Sequence, residues 1–212
     1  MLYHRTLGVL GGMGPAATAN FLQLLVHEFN SKGVYTDSAF PRMIIFSIPL
    51  EDWDNKGARD KIRVAEQVLT GLDWLKAAGA DILAVPCNTV HEFIDDPMVV
   101  NIIDETLKLC NTSAKLGIMC SRQTREAGLY ERNNHNVTYY TNQDTLDAII
   151  GSVMAGIDCD IGPMINAGFP DCKTIVLGCT ELSLCAYTHA TRHDIVDSTS
   201  VLAKAVVRRM VR

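Results

Sequence analysis

The chain has 212 residues, a formal net charge of −5 and 48% hydrophobic residues against 20% charged. That length allows one large domain or two small ones. The acidic balance leaves no basic face for nucleic acid, no apolar run approaches the ~20 residues a bilayer span needs, and an odd count of 7 cysteines argues against a disulfide framework.

Residues 7–10 form a short apolar strand that breaks at Gly11-Gly12-Met13-Gly14-Pro15. A helix over 16–30 follows, with Phe21, Leu22, Leu25, Val26 and Phe29 on one face. After a loop over 31–40 come a second strand at 42–48 and a helix at 60–78 that closes on Gly79. Residues 82–85 are a strand ending at Pro86-Cys87-Asn88-Thr89, and 90–94 begin a helix that Pro97 stops. The pattern then gives a strand at 102–103, a helix at 105–111 and a strand at 115–119. Beyond a polar loop over 120–124 it gives a helix at 125–132, a strand at 137–140 and a helix at 144–157. A strand at 173–177 ends at Gly178-Cys179-Thr180-Glu181, and 198–211 form a closing helix. Arg208, Arg209 and Arg212 suit its C-terminal dipole rather than a nucleic-acid surface.

Short strands rich in Ile and Val, alternating with helices, indicate an α/β fold with buried parallel sheets. The runs ADILAVPCNTVHEF and CKTIVLGCTELSLC share one plan of strand, small turn, Cys and Thr. They suggest two similar Rossmann-like lobes, one of residues 1–98 plus 197–212 and one of residues 99–196, with the site in the crevice between them. Without a signal-peptide pattern the chain is expected to be cytoplasmic.

In parallel sheets ligands bind outside the carboxyl ends of the strands. Cys87 and Cys179 both sit at such ends, each before a presumptive helix start whose N–H groups are expected to lower the thiol pKa from ~8.5. Two thiols in matched contexts suit proton transfer on opposite faces of one carbon: a thiolate removes the α-proton and a thiol returns one from the other side. The carbanion needs hydrogen-bond donors on its carboxylate, and Asn88, Thr89, Thr124 and Thr180 are donors of that kind. His91 and Glu181 are candidate orienters of the two cysteines. His91 and Cys87 lack a third ligand, so no metal is expected. Gly12-Met13-Gly14-Pro15-Ala16-Ala17 imitates a dinucleotide fingerprint, but no acid stands about 20 residues on. The loop is expected instead to offer backbone amides to a small anion.

These residues resemble the aspartate/glutamate racemase family, with LGVLGGMGPAAT at 7–18, AGADILAVPCNTVHEF at 78–93, LGIMCSRQTREAGLY at 116–130, IIGSVMAGI at 149–157 and VLGCTEL at 176–182. The opening GGMGP is similar to the aspartate branch. The resemblance implies an isomerase without cofactor, including pyridoxal phosphate, that interconverts L- and D-amino acids in two similar lobes and is often a homodimer. It implies Cys87 and Cys179 as the acid/base pair, Asn88, Thr89, Thr124 and Thr180 holding the substrate's carboxylate or amino group, and Met13 and Gly14 beside it. Ser121 stands where the family has threonine. An arginine expected after Ile48-Pro49 is absent, and Met154 stands where a lysine is expected. Aspartate or glutamate is the first expectation for the substrate, and other amino acids remain open. So do an isomerase or decarboxylase of the maleate type and a non-catalytic amino-acid-binding protein.

Overall fold

The computed structural model describes residues 4–111, 113–132, 134–187 and 192–211. Ten strands and seven helices are built among them. Strands β1 (Leu7–Gly11), β2 (Met43–Ser47), β5 (Ile82–Ala84) and β6 (Val99–Val100) form one parallel sheet in the order β2-β1-β5-β6. Strands β7 (Lys115–Met119), β8 (Asn136–Tyr139), β9 (Thr174–Leu177) and β10 (Asp194–Asp197) form a second, in the order β10-β9-β7-β8. Read from the opposite edge, the second sheet repeats the pairing of the first. β7 stands for β1 and β9 for β5, so the two Cys turns leave equivalent strands. β3 (Trp53–Asp54) and β4 (Gly57–Ala58) make a separate small hairpin.

The helices form where polar caps meet apolar faces. In α1 (Pro15–Ser31) a proline occupies the first turn, and Phe21, Leu25 and Phe29 are buried. In α2 (Lys61–Ala77) the Asp60 carboxylate accepts the N–H groups of Ile62 and Arg63, both at 3.1 Å. Residues α3 (Ile102–Lys108), α4 (Arg122–Glu126), α5 (Gln143–Met154), α6 (Gly162–Gly168) and α7 (Ser198–Met210) complete the set. α7 follows a strand of the second sheet yet packs on α1 and α3 of the first half. Its Leu202 and Val206 share one core with Leu7 and Val9 of β1, and with Ile118 and Val176 of the second sheet. No helix among the described residues is long and apolar enough to cross a membrane.

Several expected elements move. Residues 102–103 are helical, not a strand, because the Asn101 side chain caps the helix by accepting from Ile103 N and Asp104 N. The strand lies earlier, at Val99–Val100, and it pairs in the first sheet, beyond the division drawn at residue 98. The helix expected at 125–132 begins at Arg122, capped by Ser121, and Gly128 at φ 59° follows its end. The expected helix start at 90–94 is a single 3-10 turn over Thr89–Glu92. The hairpin, α6 and β10 had no counterpart in the sequence reading. Of the tail arginines, Arg208 reaches Glu105 at 2.5 Å and Arg209 bonds the Val99 carbonyl, while Arg212 lies outside the described residues.

Candidate active site

The Cys87 turn follows β5 and the Cys179 turn follows β9, and both line one cavity of about 380 Å³, its open mouth included. Met13, Gly14, Asn88 and Thr89 border it from the first half, and Ser121, Thr180 and Glu181 from the second. Both thiols are buried, at 5% and 7% exposure. Thr124 and His91 are buried too, but they stand behind the wall rather than in it.

Glu181 ties the halves together. One carboxylate oxygen accepts the Gly14 N–H at 3.1 Å. The other accepts the Cys179 thiol at 3.1 Å and the Thr180 hydroxyl at 3.3 Å. Gly14 therefore spends its amide on a protein carboxylate, and the Gly12 N–H goes to Thr18 Oγ1 at 3.0 Å. The loop does not present these two amides to an anion, as the sequence reading expected.

The thiols depart from expectation in the same way. Burial first, then the Glu181 charge, pushes the Cys87 pKa up to about 12, against smaller help from the backbone N–H groups of Thr89 and Val90. Burial, the Glu181 charge and its hydrogen bond push Cys179 up as well. The expected lowering fails because each cysteine precedes a single 3-10 turn rather than a full helix. Desolvation of the thiolate then dominates. Both pKa values are thus held above neutrality.

Three hydroxyls, of Thr89, Ser121 and Thr124, form a closed triangle with sides of 2.8, 2.9 and 3.0 Å. Two of its members border the cavity, and Thr124 orders them from behind. Asn88 is engaged on both ends of its amide. Tyr130 donates to its Oδ1 at 2.7 Å, and its Nδ2 donates to Ser198 Oγ at 3.0 Å. Ser198 in turn donates to the Leu177 carbonyl at 2.7 Å. This buried chain joins the β5 end to the β9 end. His91 Nε2 accepts the Ile102 N–H, so the proton is on Nδ1, which donates to the Cys87 carbonyl at 2.8 Å. His91 thus holds the Cys87 backbone and does not reach its sulfur through either nitrogen.

Trp53, Asp54, Asn55 and Gly57 of the hairpin cover one side of the cavity, and Ile150 and Met154 of α5 face it as well. Of these only Met154, at the position where a lysine was expected, was singled out from sequence. The signal for the hairpin was the turn-rich Asp54-Asn55-Lys56-Gly57 between Trp53 and Ala58. The hairpin is fastened to the second half by Asn55 Nδ2 on the Asp147 carbonyl at 2.9 Å and by Ala58 N–H on Gln123 Oε1 at 2.5 Å. Arg122, which follows Ser121 of the lining, is not available to anchor a side chain. It is committed instead to Asp144 at 2.6 Å and Asp147 at 2.7 Å.

Residues 10–206 match the family model described as Asp/Glu/Hydantoin racemase. The broad specificity amino-acid racemase RacX of Bacillus subtilis (strain 168) is 24% identical over 95% of this chain and 96% of its own. The Picrophilus torridus aspartate racemase structure superposes at TM-score 0.77 with 22% identity, covering 98% of this chain and 94% of that one. A glutamate racemase structure from Thermus thermophilus, in complex with beta-chloro-D-alanine, gives TM-score 0.69 at 15% identity, covering 100% and 82%.

Proposed function

The chain belongs to the Asp/Glu/hydantoin racemase family, and on that premise we propose that it inverts the α-carbon of an amino acid between Cys87 and Cys179. The observation that carries this reading is the pair of buried thiols on turns from equivalent strands, lining one cavity together with Glu181, which accepts a hydrogen bond from Cys179. A bound amino acid brings an ammonium group beside Glu181, which offsets the carboxylate charge that adds to burial in keeping both thiols protonated. One sulfur then loses its proton to solvent as the amino acid binds, and as a thiolate it takes the α-proton. The other thiol protonates the opposite face. On this reading the Thr89 and Ser121 hydroxyls turn their protons out of the triangle with Thr124 and donate to the carboxylate as it gathers the carbanion's charge. Thr180 and Glu181 orient Cys179, His91 fixes the Cys87 turn, and Asn88 braces the two strand ends.

No lysine lines the cavity among the described residues, which supports catalysis without a pyridoxal aldehyde. The same reading makes the enzyme a cytoplasmic homodimer of two similar lobes. Sedimentation or light scattering checks the dimer.

The test is α-deuterium uptake from deuterated water, followed by NMR for L- and D-amino acids. The wild type is expected to exchange and racemise. Cys87→Ala and Cys179→Ala should each lose racemisation by at least ~10³-fold, within the range that a positioned acid or base contributes. Full racemisation in both variants refutes the two-thiol mechanism. Tight binding without exchange refutes the enzyme reading.

A further inference from the structure

Resting on the racemase reading, we propose that the substrate carries a neutral side chain, and that Trp53, Asn55, Ile150 and Met154 form the subsite that receives it. The cavity contains no Lys, Arg or His among its described lining residues, and its two ionisable carboxylates are Asp54 and Glu181. With Arg59 3.7 Å from Asp54 set against that carboxylate, a zwitterionic amino acid is electrically matched to the remaining Glu181 charge. Its ammonium faces carboxylate and its carboxylate faces hydroxyls. A side chain ending in a second carboxylate adds a further negative charge to a desolvated space with no lining cation to meet it, which is strongly unfavourable.

Cations near the site already have carboxylate partners. Arg59 pairs with Asp54 of the lining itself, Lys61 is 2.7 Å from Glu92, and Arg63 pairs with Glu51 and Asp52. Arg122 is held by two carboxylates of α5. Lys56 stands at the hairpin turn, exposed and outside the lining. What remains for a side chain to touch is an indole, an amide, an isoleucine and a methionine. Met154 is 44% exposed, which sets it at the rim. This surface suits unbranched apolar or amide side chains of the size of methionine or glutamine. It sets aside the acidic substrate that was the first expectation.

The experiment compares kcat/KM for α-deuterium exchange with methionine, leucine, glutamine, aspartate and glutamate. At least one neutral amino acid should exceed both acidic ones by about 100-fold or more. A Met154→Lys variant, which places a cation at the rim, should shrink that ratio by at least about 10-fold. Exchange that favours aspartate or glutamate overturns the substrate class while leaving the racemase reading intact, and loss of that activity in Lys56→Ala would identify the hairpin lysine as the anchor. An unchanged ratio in Met154→Lys overturns the subsite. Absence of exchange with every amino acid overturns both this inference and the racemase reading.

Discussion

Acidification should destabilise this protein through a single histidine. His91 is 2% exposed, with Nδ1 donating to the Cys87 carbonyl and Nε2 accepting from Ile102. Protonating Nε2 would take the acceptor from the Ile102 N–H and put a charge inside the core. Burial, the largest cause, pushes its pKa down from 6.5 to about 4, although Asp104 and the two carbonyls of Cys87 and Val100 pull the other way. The unfolded chain takes up the proton near pH 6.5 and the folded chain only near pH 4. Between those values the unfolded state binds more protons, so stability is full above pH 6.5 and falls as the pH drops through the window. A gap of that size corresponds to about 3 kcal/mol, a large part of the 5–15 kcal/mol typical of a folded domain. Urea unfolding at pH 7, 5.5 and 4.5 measures it. His91→Asn keeps an N–H toward the Cys87 carbonyl and does not titrate. The variant should start less stable at pH 7, having lost the acceptor for Ile102, and should lose about 2–3 kcal/mol less than wild type on going to pH 4.5. Parallel stability–pH curves for the two proteins would refute the reasoning.

Other outcomes follow from the same geometry. Glu181→Gln keeps an acceptor for the Gly14 N–H but removes the charge that raises both thiol pKa values, so the alkaline limb of the kcat/KM profile should shift to lower pH. An unshifted limb would show that the carboxylate does not tune the thiols. Tyr130→Phe removes the buried donor to Asn88 Oδ1, and the orphaned oxygen should cost about 1–3 kcal/mol in chemical denaturation. Gly12→Ala should fold poorly, or lose about 3 kcal/mol or more. Gly12 has φ 101°, and an added Cβ would lie 2.1 Å from the Ile48 carbonyl oxygen. A melting temperature within 2 °C of wild type would contradict that placement.

The sequence carried the α/β alternation and the doubled Cys-Thr turn because both are local: an apolar run of four or five residues, a small turn, a polar cap. Equivalent positions of β5 and β9 in the two sheets then followed from the repeat. What local pattern could not supply was the use made of each polar group. Read along the chain, Asn88 and Gly14 look like substrate donors and His91 like a partner of the Cys87 thiol. In space each already has a protein partner: Ser198 and Tyr130 for Asn88, Glu181 for Gly14, and the Cys87 carbonyl and Ile102 for His91. The thiol pKa was misjudged for a related reason, since turn amides can be read from sequence but burial and the approach of Glu181 cannot. The hairpin over 53–58 escaped notice because two-residue strands leave almost no periodicity. β10, an edge strand bounded by Asp194 and Asp197, was hidden by its acidic ends.

The buried chain from Tyr130 through Asn88 and Ser198 to the Leu177 carbonyl has a mechanical consequence. Prying the two strand ends apart would strip water-inaccessible partners from all four groups at once, so the floor of the cleft acts as a fixed seam. The hairpin on the opposite side hangs on the Asn55 and Ala58 contacts. Substitution at Asn55 or Gln123 therefore loosens the cover of the cavity without touching that seam or either sulfur.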